Sequence, residues 1–182
     1  MKELSLNVLD ITENSVKAKA TLTEITITER GHELVITVKD NGTGMTPEVL
    51  RSVTDPFYTT RTTRRVGLGI PLFKDAAEQT GGRLEISSRH MSEFPDSHGT
   101  VVSAYFDKGH IDCPPLGDLT ATVVTLIQGH PDTDFLFLHK TEGGEVRLDT
   151  RELRAVLDDV PLDTFEVLMW IKDNLREQYN GI

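Results

Sequence analysis

Residues 22–44 read LTEITITERGHELVITVKDNGTG, and this stretch decides the architecture. Thr, Ile and Val alternate in part over Leu22–Glu29 and again over Glu33–Lys39, as half-buried strands do. Arg30-Gly31-His32 is short enough to fold them into an antiparallel hairpin. The second strand ends at Asp40-Asn41-Gly42-Thr43-Gly44. A carboxylate there stands on a rigid element beside open space left by glycines. Asp40 is therefore either an acceptor for an exocyclic amine or part of a plain Asp-Asn-Gly turn.

Upstream, residues 3–19 contain no Gly or Pro and sort into helical faces. Leu4, Val8, Ile11 and Ala18 form one apolar stripe, and Leu6, Leu9, Val16 and Ala20 a second. Glu3, Asn7, Asp10, Asn14 and Lys17 lie between them. Carboxylate, amide oxygen and ammonium on one face suit a magnesium-phosphate group, the alternative being a solvated face. The flanking apolar stripes favour the former.

Downstream, Thr46 and Pro47 start a short helix to about Val53. After TDPFYTTRTTRRVGLG a second helix runs from about Ile70 to Gly81-Gly82, and strands follow at Arg83–Ser88 and Thr100–Phe106. The order α-β-β-α-loop-α-β-β predicts a two-layer α/β (α+β) sandwich, a mixed sheet with helices on one face and the other left to solvent or a partner. The pattern GxxxxGK[ST] is absent, so a phosphate site must be built otherwise. Gly67-Leu68-Gly69 before a helix offers one, since the first N–H groups of that helix point at an approaching anion; a simple turn is the alternative reading.

KGHIDCPPLG, residues 108–117, has linker composition. The expected division is a domain over 1–108, a linker over 109–116 and a small α/β appendage over 117–182. The appendage would hold a helix over Asp118–Gln128, a hairpin from Phe135–His139 to Glu145–Asp149, and helices near 150–158 and 163–179. Phe165, Leu168, Met169 and Ile171, with Trp170 beside them, read as a core stripe. The run FLFLH implies burial on both faces, under its own helices or against another subunit.

With 19 basic and 29 acidic residues the net charge is −10, which disfavours nucleic acid and anionic membranes as partners. The single Cys113 cannot form an internal disulfide, and no apolar run approaches a membrane span. A cytoplasmic protein is the expectation. The six histidines, His32, His90, His98, His110, His130 and His139, read as surface or turn residues.

Taken together and in order, these motifs resemble the GHKL superfamily, whose ATP-binding domain is the Bergerat fold. DNA gyrase, the heat-shock 90 chaperones, sensor histidine kinases and mismatch-repair ATPases share it. DITENSVKA is similar to its N box, DNGTGM to its first glycine box, DPFYTTR to its F box, VGLGI to its second glycine box, and HGT to its closing threonine motif. The resemblance spans roughly the first 108 residues and implies ATP with magnesium. Asn14 would hold the metal and Lys17 would reach the phosphates. Asp40 would accept from the adenine amino group, with Gly42, Gly44, Met45 and Thr100 around the base. Phe57 would pack beneath a lid, Thr60 and Arg61 would sit near the terminal phosphate, and Gly67, Leu68 and Gly69 would line it with N–H groups. PFYTTR followed by GLGI looks most like the sensor kinases.

Hydrolysing members carry a Glu where this chain has Asp10, a carboxylate that would reach about 1 Å less far toward water. Asp10 remains the candidate base. Only nine residues precede it, so a phosphoacceptor segment is not expected upstream. The resemblance thus implies a stand-alone kinase module phosphorylating a separate protein, as in two-component or anti-sigma-like regulation. The alternative is a non-catalytic or slow-ATPase nucleotide switch that binds a regulatory partner. A homodimer through the C-terminal unit is compatible with either.

Overall fold

A computed structural model describes residues 3–54 and 68–182. The elements are α1 (Leu4–Lys17), β1 (Leu22–Arg30), β2 (Glu33–Asp40), α2 (Pro47–Thr54), α3 (Gly69–Glu78), β3 (Arg83–Arg89), β4 (Gly99–Asp107), α4 (Leu119–Gly129), β5 (Asp134–Lys140), β6 (Glu145–Asp149), α5 (Thr150–Leu157) and α6 (Phe165–Asn180). The strands form one mixed sheet in the order β3-β4-β2-β1-β5-β6. The predicted sandwich is the observed architecture. The β1-β2 pairing runs from Thr23↔Asp40 to Arg30↔Glu33, which makes Gly31-His32 a two-residue turn with Gly31 at φ +54°. That register carries Asp40 to the same end of the sheet as the C-terminus of α1.

Alternation gives the sheet one apolar face. Ile25, Ile27, Leu34, Ile36, Val38, Val102, Ala104, Phe106, Phe135 and Phe137 are buried in a core shared with Leu4, Val8 and Ile11 of α1, Phe73 of α3, Leu126 of α4 and Ile171 of α6. The opposite face is more polar, with Thr37 and Ser103 hydrogen bonded at 2.9 Å.

Residues 109–116 contain neither helix nor strand, but the chain beyond them continues the same sheet. Here β5 pairs parallel to β1, Leu22↔Asp134 through Thr28↔Lys140, and β6 pairs antiparallel to β5. The both-faces burial expected of FLFLH therefore arises from an interior strand position, with Leu136 and Leu138 half-buried on the far face. The connecting segment also completes α1. The Leu4 and Ser5 amides, which a helix leaves unpaired at its N-terminus, donate to the Pro115 and Leu116 carbonyls at 2.9 and 2.8 Å.

The expected stripe on α6 divides. Leu168 and Ile171 are buried with Val167 and Leu175, but Phe165, Met169 and Trp170 face outward. The correction follows from geometry: residues 167, 168, 171 and 175 occupy one side of a helix, and 165, 169 and 170 fall outside that arc. On α1, Leu4, Val8 and Ile11 are buried as expected, whereas Leu6 of the second stripe is exposed.

Candidate nucleotide site

A cavity of about 210 Å³ opens between α1, α2 and the sheet ends of β2 and β4, with Ile11, Val38, Met45, Val53, Ile70 and Val102 among its walls and Asn14, Ser15, Lys17, Asp40 and Thr100 supplying its polar atoms. It is smaller than a typical pocket for a whole ligand, and suits one planar group with the rest of the molecule lying across its rim. Asp40 is the fixed acceptor. Its Oδ2 accepts from the Ser15 hydroxyl at 2.7 Å, and its Oδ1 accepts from the Gly42 amide at 2.8 Å. A carboxylate offers about four lone-pair positions, so two remain for a ligand N–H.

The glycines of DNGTG are needed because the loop is threaded between other backbones. Gly44 has φ +72°, and a Cβ there would stand 2.0 Å from the Arg89 carbonyl oxygen. At Gly42 a Cβ would meet the Ala18 carbonyl oxygen at 2.7 Å. The loop is tied down on three sides. The Thr43 amide donates to the Ala18 carbonyl at 2.8 Å, the Met45 amide to the Ser88 hydroxyl at 2.7 Å, and the His98 ring, through Nδ1–H, to the Gly42 carbonyl. Ser88 and Thr100 hydroxyls pair at 2.8 Å, and Thr100 lies opposite Asp40 on the adjacent strand.

The second glycine box meets the N box. A Cβ on Gly69 would lie 3.3 Å from Asp10 Cβ and 3.9 Å from Asn14 Nδ2, so the absent side chain lets the start of α3 approach the polar face of α1. Leu68, the N-cap of α3, is exposed, and its side chain makes no capping hydrogen bond. Pro71 has no N–H, so the earlier amides of the turn are the donors that face an anion. Lys17 is exposed at the cavity and Asp10 is exposed beside Gly69. Among the described residues neither takes part in an ion pair. No group of three or more His, Cys, Asp or Glu side chains among the described residues is arranged to hold a metal. The Asn14 amide oxygen is a hard oxygen donor of the kind that could hold a magnesium ion, which usually keeps phosphate and water as its other ligands.

The structure brings together Asp10, Asn14, Lys17, Asp40, Gly42, Gly44, Met45, Thr100 and Gly69, and Leu68 is exposed as the N-cap of α3. Phe57, Thr60, Arg61 and Gly67 lie outside the described residues. Sequence reading missed Ser15 and His98. Ser15 continues the apolar stripe Leu4, Val8, Ile11, and a hydroxyl at a buried helical position needs a partner, which was its signal. Nothing in the sequence marks His98 as a buttress. Asn7, expected on the polar stripe, is instead fully buried, and neither of its amide atoms has a partner among the described residues.

Residues 2–110 match the family described as "Histidine kinase-, DNA gyrase B-, and HSP90-like ATPase". The chain belongs to that family. Among curated relatives of this ATPase domain, Sensor protein CitS of Bacillus subtilis is 36% identical over 63 residues, 35% of this chain and 11% of that protein. Sporulation kinase C of the same organism is 31% identical over 90 residues, 48% of this chain and 20% of that protein. The chain thus spans a fifth or less of the length of these relatives. The solved ATPase domain of Aquifex aeolicus MutL, complexed with ADP, superposes with a TM-score of 0.54 at 19% identity, covering 86% of this chain and 69% of that one. That share of the chain exceeds the family-matched residues, so the likeness in fold reaches past residue 110. No helix among the described residues is long and apolar enough to cross a membrane.

Proposed function

We propose that this chain binds Mg-ATP in the cavity around Asp40 and transfers the γ-phosphoryl group to a side chain of a separate protein. The observation that carries the reading is the meeting of three features: a fixed acceptor at Asp40, an amide and an ammonium at Asn14 and Lys17, and the helix start at Gly69. Asp40 accepts from the exocyclic amine of the base while the apolar walls cover the ring. Bound magnesium would offset phosphate charge. The acceptor oxygen or nitrogen attacks the γ-phosphorus as the bond to the bridging oxygen breaks and ADP leaves, while Asp10 or a residue of the partner takes the acceptor's proton. Five of the six histidines, His90, His98, His110, His130 and His139, hold a side-chain hydrogen bond within the fold through at least one ring nitrogen.

The test follows γ-labelled phosphate from Mg-ATP with the purified protein alone and with an extract of its native cell, each beside Asn14→Ala. Label on an extract protein that disappears with Asn14→Ala supports the kinase. Unchanged labelling with that variant overturns it. One observation favours a second reading, a nucleotide switch: Asp10 is a residue type shorter than the Glu of hydrolysing relatives. If ATP binds but neither free phosphate nor labelled protein forms, the switch stands, unless a partner then binds the ATP and ADP forms equally.

A further inference from the structure

Outside the nucleotide site, the feature that departs furthest from an ordinary surface is the outer side of α6. Phe165, Trp170 and Met169 are 74%, 52% and 36% exposed on one helical arc, while Val167, Leu168, Ile171 and Leu175 serve the core from the other. Scattered apolar residues on a surface mean little, but two aromatics and a methionine within one and a half turns are the composition of an interface centre. On the same arc stand Glu166, between Phe165 and Met169, and Asp173 and Glu177, one and two turns beyond Trp170, all exposed. On the edge of the arc below Phe165, Lys172 is half-buried and Arg176, three turns beyond Phe165, is exposed, which still leaves the face with more carboxylates than cations. Among the described residues none of the three carboxylates takes part in an ion pair. The carboxylates of β6 and α5 behave otherwise, since Asp149 and Glu152 are matched to Arg151 and Arg147.

We infer that this arc of α6 is a docking surface for a basic amphipathic helix of a protein partner. Charge selects the occupant. A second copy docking face to face about a two-fold axis would bring three carboxylates from each copy together with only one exposed guanidinium from each, leaving like charges in excess. An anionic membrane is repelled in the same way. A helix whose apolar stripe covers Phe165, Met169 and Trp170 and whose flanking Lys or Arg meet the three carboxylates satisfies both kinds of group. The surface supplies the partner class that the proposed function requires. It rests on that reading only for the need of a partner, because the surface and the nucleotide cavity have no residue in common.

Trp170 is the only tryptophan, so its emission reports on this face directly. The probe is a short amphipathic helical peptide of leucine and lysine, titrated without nucleotide into the full chain, beside its leucine and glutamate counterpart. The expected result is a saturable one-to-one blue shift with the lysine peptide alone. Its affinity should fall roughly tenfold or more in the double variant Phe165→Ser/Met169→Ser, and to a lesser, salt-dependent degree in Asp173→Asn. Far-ultraviolet circular dichroism of each variant verifies that the fold is kept. Equal binding of both peptides, or an affinity unchanged by the double variant, overturns the proposal. So does a native mass that shows a dimer dissociated by Phe165→Ser/Met169→Ser, which would give the face to a second copy. Because Asn14→Ala should leave this titration untouched, failure of the docking surface and failure of the nucleotide site are read separately.

Discussion

The two longest helices among the described residues, α1 and α6, carry comparable amphipathic patterns with opposite outcomes. In α1 the polar stripe is met by the start of α3, so Asp10 and Asn14 end beside Gly69 and the stripe becomes the floor of a site. In α6 nothing arrives over Phe165, Met169 and Trp170 among the described residues, and apolar groups remain outside. Spacing determines which side chains share a face. Whether that face is covered is decided by elements far away in sequence.

Substitutions on α1 and its loop should therefore be costly where those on α6 are cheap. The largest effect is expected from Asp40→Ala, which removes the proposed base acceptor and leaves the buried Ser15 hydroxyl without its partner. ATP affinity should drop about a hundredfold, as loss of a charge-assisted bond of ~2–3 kcal/mol implies, measured by calorimetric titration. Gly44→Ala comes next, because its Cβ would stand 2.0 Å from the Arg89 carbonyl oxygen at φ +72°. Unfolding in denaturant should show a loss of about 2 kcal/mol or more. Ser15→Ala should weaken ATP binding by roughly fivefold, the share of one hydrogen bond that positions Asp40. An unaltered affinity would mean that the Gly42 amide alone orients the carboxylate.

The C-terminal end of α6 is anchored rather than open, and it titrates. Burial keeps the Tyr179 hydroxyl protonated far into the alkaline range, so it donates to His139 Nδ1 at 2.9 Å, while His139 Nε2–H donates to Glu29 at 2.8 Å. Burial alone would raise the Glu29 carboxyl, but the hydrogen bonds from Lys108 and His139 outweigh it and hold it below its ordinary 4.5. The stabilisation this gives is present above pH 4.5 and is lost as pH falls through the depressed value. Glu29→Gln should be somewhat less stable than the parent at neutral pH and lose less on acidification below 4.5, followed by thermal unfolding across that range. The smallest effect belongs to Phe165→Ser, expected within about 0.5 kcal/mol of the parent in stability and equal to it in nucleotide binding.

Much of the site could be read before the fold was known, because its residues sit in short motifs whose spacing is local. Asn14 and Lys17 share a helical face, and Asp40 ends a strand of clear alternation. Ser15 escaped because one small hydroxyl on an apolar stripe hardly changes the pattern; its meaning depends on Asp40, 25 positions away. The register of β5 against β1 escaped for a similar reason. Parallel strands so far apart in the chain share no turn, and the run FLFLH announces burial without naming its neighbour. Phe165 and Met169 look like core residues on spacing alone, since exposure depends on what fails to pack over them.

The carbonyls of Pro115 and Leu116 that complete the first turn of α1 have a practical consequence. A chain cut at residue 108, where the family match nearly ends, would strip two acceptors from the helix that carries Asn14 and leave β1 with a bare edge in place of β5. The smallest fragment expected to hold its shape is therefore longer than the ATPase match. In this protein the last two fifths of the chain is a wall of the room, and a grafting or truncation experiment should carry it along.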